Sequence, residues 1–260
     1  MSIFNNKVQD YSFIDMHAHI LPGVDDGARN AAESKILIAQ LRSEGAEAII
    51  CTPHYIVNTD SVSPVAENKE LLKMLKEEEF RTPLYIGNEL YIDEDLDILL
   101  KKKQVTGLAG SRYILVELPM SGKFEDYEDI LNYLNRKYKV ILAHPERYAT
   151  FQKDFDCIER LMDMGIRFQC NYGTLMGQYG GDAKKTLKKM LKKRYVFAFG
   201  SDIHRIRPNG YYCKAITKLS RIVKDENYLI DIIHDNPKRV ILAAKKQRKA
   251  AAAKKKEKDQ

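Results

Sequence analysis

Seven short apolar runs alternate with longer amphipathic stretches along this chain of 260 residues, and that alternation limits the fold more than any other feature. The runs cover 13–19, 48–52, 84–91, 113–118, 140–143, 167–171 and 196–200, and they read as strands. Helix signals lie between them. Asn30 opens the first helix, with Glu33 three residues later as a capping-box pair, and Gly45 closes it. Further helices are predicted over 64–80, 127–137, 155–164, 183–193, 212–223 and 228–245. Seven strand-then-helix units predict an α/β chain built as a closed parallel (β/α)7 barrel, with a doubly wound open sheet as the alternative. No linker or internal repeat divides the sequence, so a single domain is expected over 1–245, followed by a basic, flexible tail over 246–260.

Composition excludes several function classes. Apolar residues make up 44% and charged residues 30%, the balance of a soluble globular chain. No apolar run is long enough for a membrane helix, and the N-terminus lacks a basic stretch followed by an apolar block, so a cytoplasmic location is expected. The net charge is +7, but the segment from Lys245 onward carries eight basic and two acidic residues. The body is therefore nearly neutral and is not expected to bind nucleic acid. The tail reads as a solvated helix end, with weak contact to an anionic surface as its alternative. Four cysteines, Cys51, Cys157, Cys170 and Cys213, form no C-x-x-C pair and read as reduced thiols. None is followed six positions later by arginine, as a phosphate loop with a cysteine nucleophile would need.

The polar chemistry gathers where the strands end. The first run leads through His17 and His19 into "ILPGVDDG", with Asp25 and Asp26. The second leads into "TPHY" with His54. The third holds Glu89 and the fourth Glu117. The fifth leads into "HPERY" with His144, Glu146 and Arg147, and the sixth ends at Asn171. The seventh leads into "SDIHRIR" with Asp202, His204, Arg205 and Arg207. Five of the six histidines thus fall at strand ends, which converge on one face of a parallel barrel. Four carboxylates join them, and Glu89 and Glu117 stand inside otherwise apolar runs, where an unpaired charge is costly.

His17-x-His19 and Asp202-x-His204 each predict two ligands on one face of a strand. Imidazole and carboxylate without thiolate favour Mn, Fe, Zn or Mg over a structural cysteine–zinc site. Nine such groups exceed what one ion needs, so two or three ions are expected, with a carboxylate bridging a pair. Clustered metals flanked by Arg147, Arg205 and Arg207 suit phosphate chemistry: two ions activate hydroxide and hold the attacking and leaving oxygens, while guanidinium forks bind phosphate. Asp15 reads equally as a ligand-orienting group and as part of a polar layer. Asp25 reads as a turn residue and His234 as structural, and Tyr55, Tyr148, Tyr172 and Tyr179 fall in or near the rim loops.

Taken together, "DMHAHILPGVDDG", "TPHY", "GNELYID", "VELP", "AHPERY", "NYGTLMG" and "GSDIHR" resemble the polymerase and histidinol phosphatase (PHP) superfamily. Within it they resemble the bacterial protein-tyrosine phosphatases of capsular and exopolysaccharide operons, the CpsB/CapC/YwqE type. The resemblance implies a distorted seven-stranded barrel of PHP type with three ions, often manganese. It implies that His17, His19, Glu89 and Asp202 hold the first. Glu89 then bridges to a second ion completed by Glu117 and His144, and Asp26, His54 and His204 hold the third. It implies phosphate contacts from Arg147 and from one of Arg205 and Arg207. The implied substrate is a tyrosine-phosphorylated, membrane-bound bacterial kinase that controls polysaccharide synthesis. Competing expectations are another phosphoesterase of the superfamily, such as histidinol phosphatase or a nuclease, and a scaffold protein with structural metals.

Overall fold

The computed structural model describes residues 11–77 and 82–258. Its elements follow in chain order: β1 (Phe13–Ala18), α1 (Ala31–Ser43), β2 (Ala46–Cys51), β3 (His54–Tyr55), α2 (Val65–Glu77), β4 (Leu84–Ile86), β5 (Glu89–Tyr91) and α3 (Leu96–Lys101). Then come β6 (Tyr113–Glu117), α4 (Glu125–Lys137), β7 (Lys139–Ala143), α5 (Ala149–Lys153), α6 (Asp156–Asp163), β8 (Arg167–Asn171) and α7 (Tyr172–Leu175). The chain finishes with α8 (Gly180–Lys192), β9 (Val196–Gly200), α9 (Tyr211–Ile222), α10 (Glu226–Ile230) and α11 (Asn236–Lys258). The end of the helix predicted over 64–80 lies outside the described residues.

All strand pairs are parallel, but the strands fall in two sheets, β1-β2-β4 and β3-β5-β6-β7-β8-β9. The expected parallel α/β architecture is present, and among the described residues its strands form nine segments in these two sheets without a single closed ladder. The run expected over 84–91 breaks where the chain passes from one sheet to the other, and β3 is a short strand just beyond the end of the run expected over 48–52. Pro53, which has no N–H for a ladder, separates β2 from β3, and its carbonyl accepts from Glu89 N at 3.1 Å. Gly87 separates β4 from β5. A Cβ there would lie 3.1 Å from Leu108 Cα, so the chain turns where only glycine fits easily. At the other seam β1 meets the segment after β9 through one bridge, Ala18 to Ile203. The bonds from Asp202 N to His17 O (2.8 Å) and from His19 N to Ile203 O (3.1 Å) flank it.

Strands covered on both faces should be apolar throughout, and all six residues of β1 and all five of β6 are buried. One face packs on the helices through Phe13, Phe168, Phe199 and their neighbours. The alternate residues turn to a second cluster. Ile14, Met16, Ala48 and Ile50 of the first sheet meet Leu115, Ile141, Ala143 and Ala198 of the second, and Val240, Ile241 and Ala244 of α11 pack there too. The C-terminal helix thus covers the apolar inner residues of both sheets, and the polar residues lie at the C-terminal ends of the same strands. α11 runs on past Lys245 without a break, and Arg248 donates to Ala109 O at 2.6 Å. The first helix starts as its cap signal predicts: Asn30 Oδ1 accepts from Glu33 N at 3.0 Å. Its capping box is offset, because the Glu33 carboxylate accepts from Arg29 N (2.9 Å) rather than from the cap residue.

Candidate metal centre

The nine expected ligands and the three arginines converge beyond the C-terminal ends of the strands. Within the cluster, the Nε2 atoms of His17 and His19 lie 2.9 Å apart. Both face Glu89 Oε2, at 3.1 and 3.2 Å, and Asp202 Oδ1, at 3.6 and 3.5 Å. His144 Nε2 lies 2.9 Å from Glu89 Oε1 and 3.6 Å from Glu117 Oε1. His54 Nδ1 lies 3.0 Å from Glu89 Oε2, and its Nε2 is 3.6 Å from Asp26 Oδ1. His204 Nε2 lies 3.1 Å from Asp26 Oδ1. Four overlapping groups are close enough to hold an ion: His19/Asp26/His54/His204, His17/His19/Asp202, His17/Glu89/His144 and His54/Glu89/Glu117.

Hydrogen bonding does not account for the whole cluster, although His144 Nε2 and Glu89 Oε1 are bonded at 2.9 Å. His54 Nδ1 and Glu89 Oε2 are fully buried and face each other, yet neither makes a hydrogen bond. Separations of 2.9–3.6 Å match the edges of a coordination shell, about 3.0 Å for an octahedron and about 3.4 Å for a tetrahedron with bonds of about 2.1 Å. Three of the outer nitrogens are satisfied from behind, whereas His144 Nδ1 is buried without a hydrogen-bond partner. His17 Nδ1 donates to Gln169 Oε1 (2.8 Å), His19 Nδ1 to Asp25 Oδ2 (2.8 Å) and His204 Nδ1 to the Asp202 carbonyl (3.0 Å). This pattern fixes the tautomer and turns Nε2 inward, as in metal-ligating imidazoles. The residues present therefore fit a cluster of divalent ions.

Charge supports the same conclusion. Burial disfavours the imidazolium of His17, but the Glu89 and Asp202 carboxylates outweigh it and raise its pKa. Burial also opposes ionisation of Glu89, yet His17 and His54 hold its pKa well below the ordinary carboxylate range. Burial, reinforced by Glu89, pushes Glu117 up to about 9. Burial pushes His144 down to about 4. Protein groups thus keep Glu89 charged, whereas Glu117 beside it is short of positive charge.

Local strain accompanies the cluster. His144 (φ 34°) and Asp202 (φ 50°) are in left-handed backbone conformations that non-glycine residues seldom adopt. The strand face expected for Asp202 and His204 is not formed, because β9 ends at Gly200 and the two residues stand in the loop beyond it. Asp202 Oδ2 accepts from Arg147 Nη1 (2.9 Å), Asn171 Nδ2 (2.7 Å) and Tyr179 OH (3.3 Å).

The sequence pattern described as "Capsular polysaccharide synthesis, CpsB/CapC" matches residues 13–242. The chain belongs to the CpsB/CapC family. It is 29% identical to a putative tyrosine-protein phosphatase CapC of Staphylococcus aureus over 208 residues, 78% of this chain and 81% of that one. It is 28% identical to the tyrosine-protein phosphatase CpsB of Streptococcus pneumoniae over 239 residues, 88% of this chain and 98% of the relative. Its fold resembles crystal structures of YwqE from Bacillus subtilis and CpsB from Streptococcus pneumoniae, described as unique metal-dependent tyrosine phosphatases. The TM-score there is 0.78 at 26% identity, covering 88% of this chain and 94% of the other.

In this CpsB/CapC chain the three arginines differ. Arg147 is anchored on Asp202, and its guanidinium lies 4.4 Å over the Tyr179 ring. The Arg205 guanidinium donates to the carbonyls of Asp26 (2.9 Å), Gly27 (2.5 Å) and His204 (2.7 Å), so it ties two loops together. Among the described residues no hydrogen bond or ion pair engages the Arg207 guanidinium, while its backbone is held by Gln40 on α1 (2.9 and 2.8 Å). Asp15 accepts from Ser201 N (2.8 Å) and His17 N (3.3 Å), bracing the β1–β9 seam. Glu146 accepts from Asn171 N and Thr174 Oγ1, both at 2.8 Å, and belongs to none of the four groups that could hold an ion.

Sequence reasoning missed three contributors. Asp25 is no mere turn residue, since it holds His19 Nδ1 and also accepts from His54 N (3.0 Å). Gln169 is fully buried in β8, where it orients His17, and a lone amide inside an apolar strand was its signal. Tyr179 was noted only as a rim residue, and no local pattern marks its place between Arg147 and Asp202.

Proposed function

We propose that the chain is a metal-dependent protein-tyrosine phosphatase that hydrolyses phosphotyrosine on a bacterial tyrosine kinase governing capsular or exopolysaccharide synthesis. The observation that carries this is a cavity of about 590 Å³ lined by His54, His144, His204 and the carboxylates of Asp26, Glu89, Glu117 and Asp202, with Arg147, Arg205 and Arg207 in its wall and the buried His17 and His19 facing the same Glu89 and Asp202. His17, His19, Glu89 and Asp202 would hold one ion, Glu89, Glu117 and His144 a second, and Asp26, His54 and His204 a third, with manganese the expected metal. When bound, such ions lower the pKa of water and neutralise phosphoryl charge.

The chain's own residues do the rest. Arg147, tied to Asp202 and stacked on Tyr179, presents its remaining N–H groups to the phosphoryl oxygens. Arg207, lining the same cavity, is a second cation for them, and Arg205 keeps the loops of Asp26 and His204 together. Tyrosinate leaves without a strong general acid, because the phenol of tyrosine ordinarily ionises near a pKa of about 10. A covalent cysteine route is disfavoured, because Cys51 and Cys170 are buried and burial pushes both thiols up. We further propose that the nine strand segments are the seven tracks of a distorted barrel. The shared inner cluster of both sheets supports this, as does the helix α11 beneath it. The catalytic unit is taken as one domain in the cytoplasm, reaching to about residue 245, with the basic end of α11 outside it.

Steady-state assays of metal-stripped protein with Mn, Mg, Zn or Fe restored test the reading. The substrates are a phosphotyrosine peptide, a phosphoserine peptide and histidinol phosphate. Metal-dependent turnover of phosphotyrosine, falling about 100-fold in Arg147→Ala, is expected. A clear preference for histidinol phosphate would overturn the substrate assignment.

A further inference from the structure

A second cavity of about 470 Å³ adjoins the metal-lined one, and the two share Gln178 and Arg207 as a common wall. Its chemistry differs from that of the first. Met176, Pro208 and Tyr211 supply apolar surface, Arg207 and Lys214 supply positive charge, and no carboxylate lines it. The wall is built rather than incidental. Gln40 clamps the backbone of Arg207 through both its N–H and its carbonyl. Tyr211 OH donates to Gln178 Oε1 at 3.1 Å, joining the start of α9 to the loop before α8. The Arg207 guanidinium lies 5.6 Å from the Tyr211 ring centroid, between the two cavities. Among the described residues neither Arg207 nor Lys214 has an ion-pair partner, and Lys214 is exposed.

We propose that this second cavity is a subsite for the residues flanking the phosphotyrosine, and that it selects acidic ones. The inference rests on the phosphatase reading above. A phosphotyrosine whose phosphoryl group lies on the metal cluster passes its main chain out over Gln178 and Arg207. The neighbouring side chains then meet an apolar floor and the exposed cation of Lys214, with Arg207 at the boundary shared with the phosphoryl group. A substrate of one small molecule would leave this surface unused, whereas a peptide covers it. Exposed charge pairs are weak, so the selectivity is modest, about three- to fivefold per acidic residue at low salt, and it fades as salt is raised to about 0.5 M. Lys214 sets the selectivity without touching the phosphoryl group.

The test uses the full metal-loaded chain and fluorescein-labelled peptides carrying a non-hydrolysable difluorophosphonate in place of the tyrosine phosphate. The flanks are Glu, Gln or Lys, and binding is read by anisotropy. Wild type should bind the Glu-flanked peptide several-fold more tightly than the Gln-flanked one. Lys214→Ala should reduce that preference and Lys214→Glu should reverse it toward Lys flanks, while p-nitrophenyl phosphate turnover stays unchanged in both. Equal affinities for all three peptides, or a preference untouched in Lys214→Glu, would overturn the subsite even if phosphotyrosine is turned over normally. A flank preference that depends on Lys214 without turnover of any phosphotyrosine substrate would retain the subsite and sink the phosphatase reading instead.

Discussion

Replacing Gln169 by leucine separates the outer support of the metal cluster from the cluster itself. The two side chains are close in volume, so no large cavity is created. The change removes an acceptor from His17 Nδ1 (2.8 Å) and donors from Cys170 O (2.9 Å) and Asn171 Oδ1 (2.8 Å), all at a fully buried position. An unsatisfied buried polar group costs about 1–3 kcal/mol. Partial relaxation and the added apolar burial offset some of this, leaving roughly 2–4 kcal/mol of destabilisation. A chain of this size loses about 2–4 °C of Tm per kcal/mol, so the metal-free variant should melt roughly 5–15 °C lower. His17 would also lose the bond that keeps Nε2 facing Glu89, and loss of such a partner typically weakens metal binding about 10- to 100-fold. Isothermal titration with Mn at a temperature where both proteins are folded measures that affinity directly. A variant with the expected loss of Tm but metal affinity within twofold of wild type would refute the reasoning, because His17 would then not be a ligand held by Gln169.

Metal removal should itself be visible as lost stability. At a metal concentration 100 times Kd, binding contributes about 2.7 kcal/mol, so chelation should lower Tm by roughly 5–10 °C, and scanning calorimetry that found no shift would argue against a folded-state ion cluster. Gly200→Ala would place a Cβ 2.5 Å from His17 Cβ and 3.1 Å from His17 N. Neither neighbour is a flexible tip, so a loss of about 2 kcal/mol or more in denaturant unfolding is expected, and wild-type stability would show that β1 and β9 can separate there. Tyr179→Phe keeps the ring under Arg147 and should hold kcat/KM within about threefold, whereas Tyr179→Ala frees the guanidinium and should lower it about tenfold. Equal losses in the two variants would assign the effect to the hydroxyl on Asp202 instead of the stack.

Much of the candidate site was legible because its side chains obey local rules. His17 and His19, His54, His144 and His204 each follow an apolar run, and parallel strands place their C-terminal ends on one side whatever the details of closure. Glu89 and Glu117 stood out because a carboxylate among apolar neighbours needs a partner. Asp25 and Tyr179 were less legible, since each acts through a residue far away in the chain or across a loop. Arg205 and Arg207 could not be told apart from spacing alone. Only the position of the carbonyls of Asp26 and Gly27, brought from the loop after β1, shows which guanidinium is engaged.

The sequence by itself determined a parallel α/β chain with nine ligand-type side chains at its strand ends, because periodicity and burial within a strand are properties of a few adjacent residues. Tertiary structure decided how the strands join. Gly87 divides the run over 84–91 between sheets, Pro53 separates β2 from a short β3 in the other sheet, and a single bridge at Ala18 takes the place of a full ladder. It also decided that α11 covers the inner apolar cluster and that Gln169 stands behind His17. These outcomes depend on which distant surfaces meet when the chain closes on itself, and no window of neighbouring residues encodes that distance.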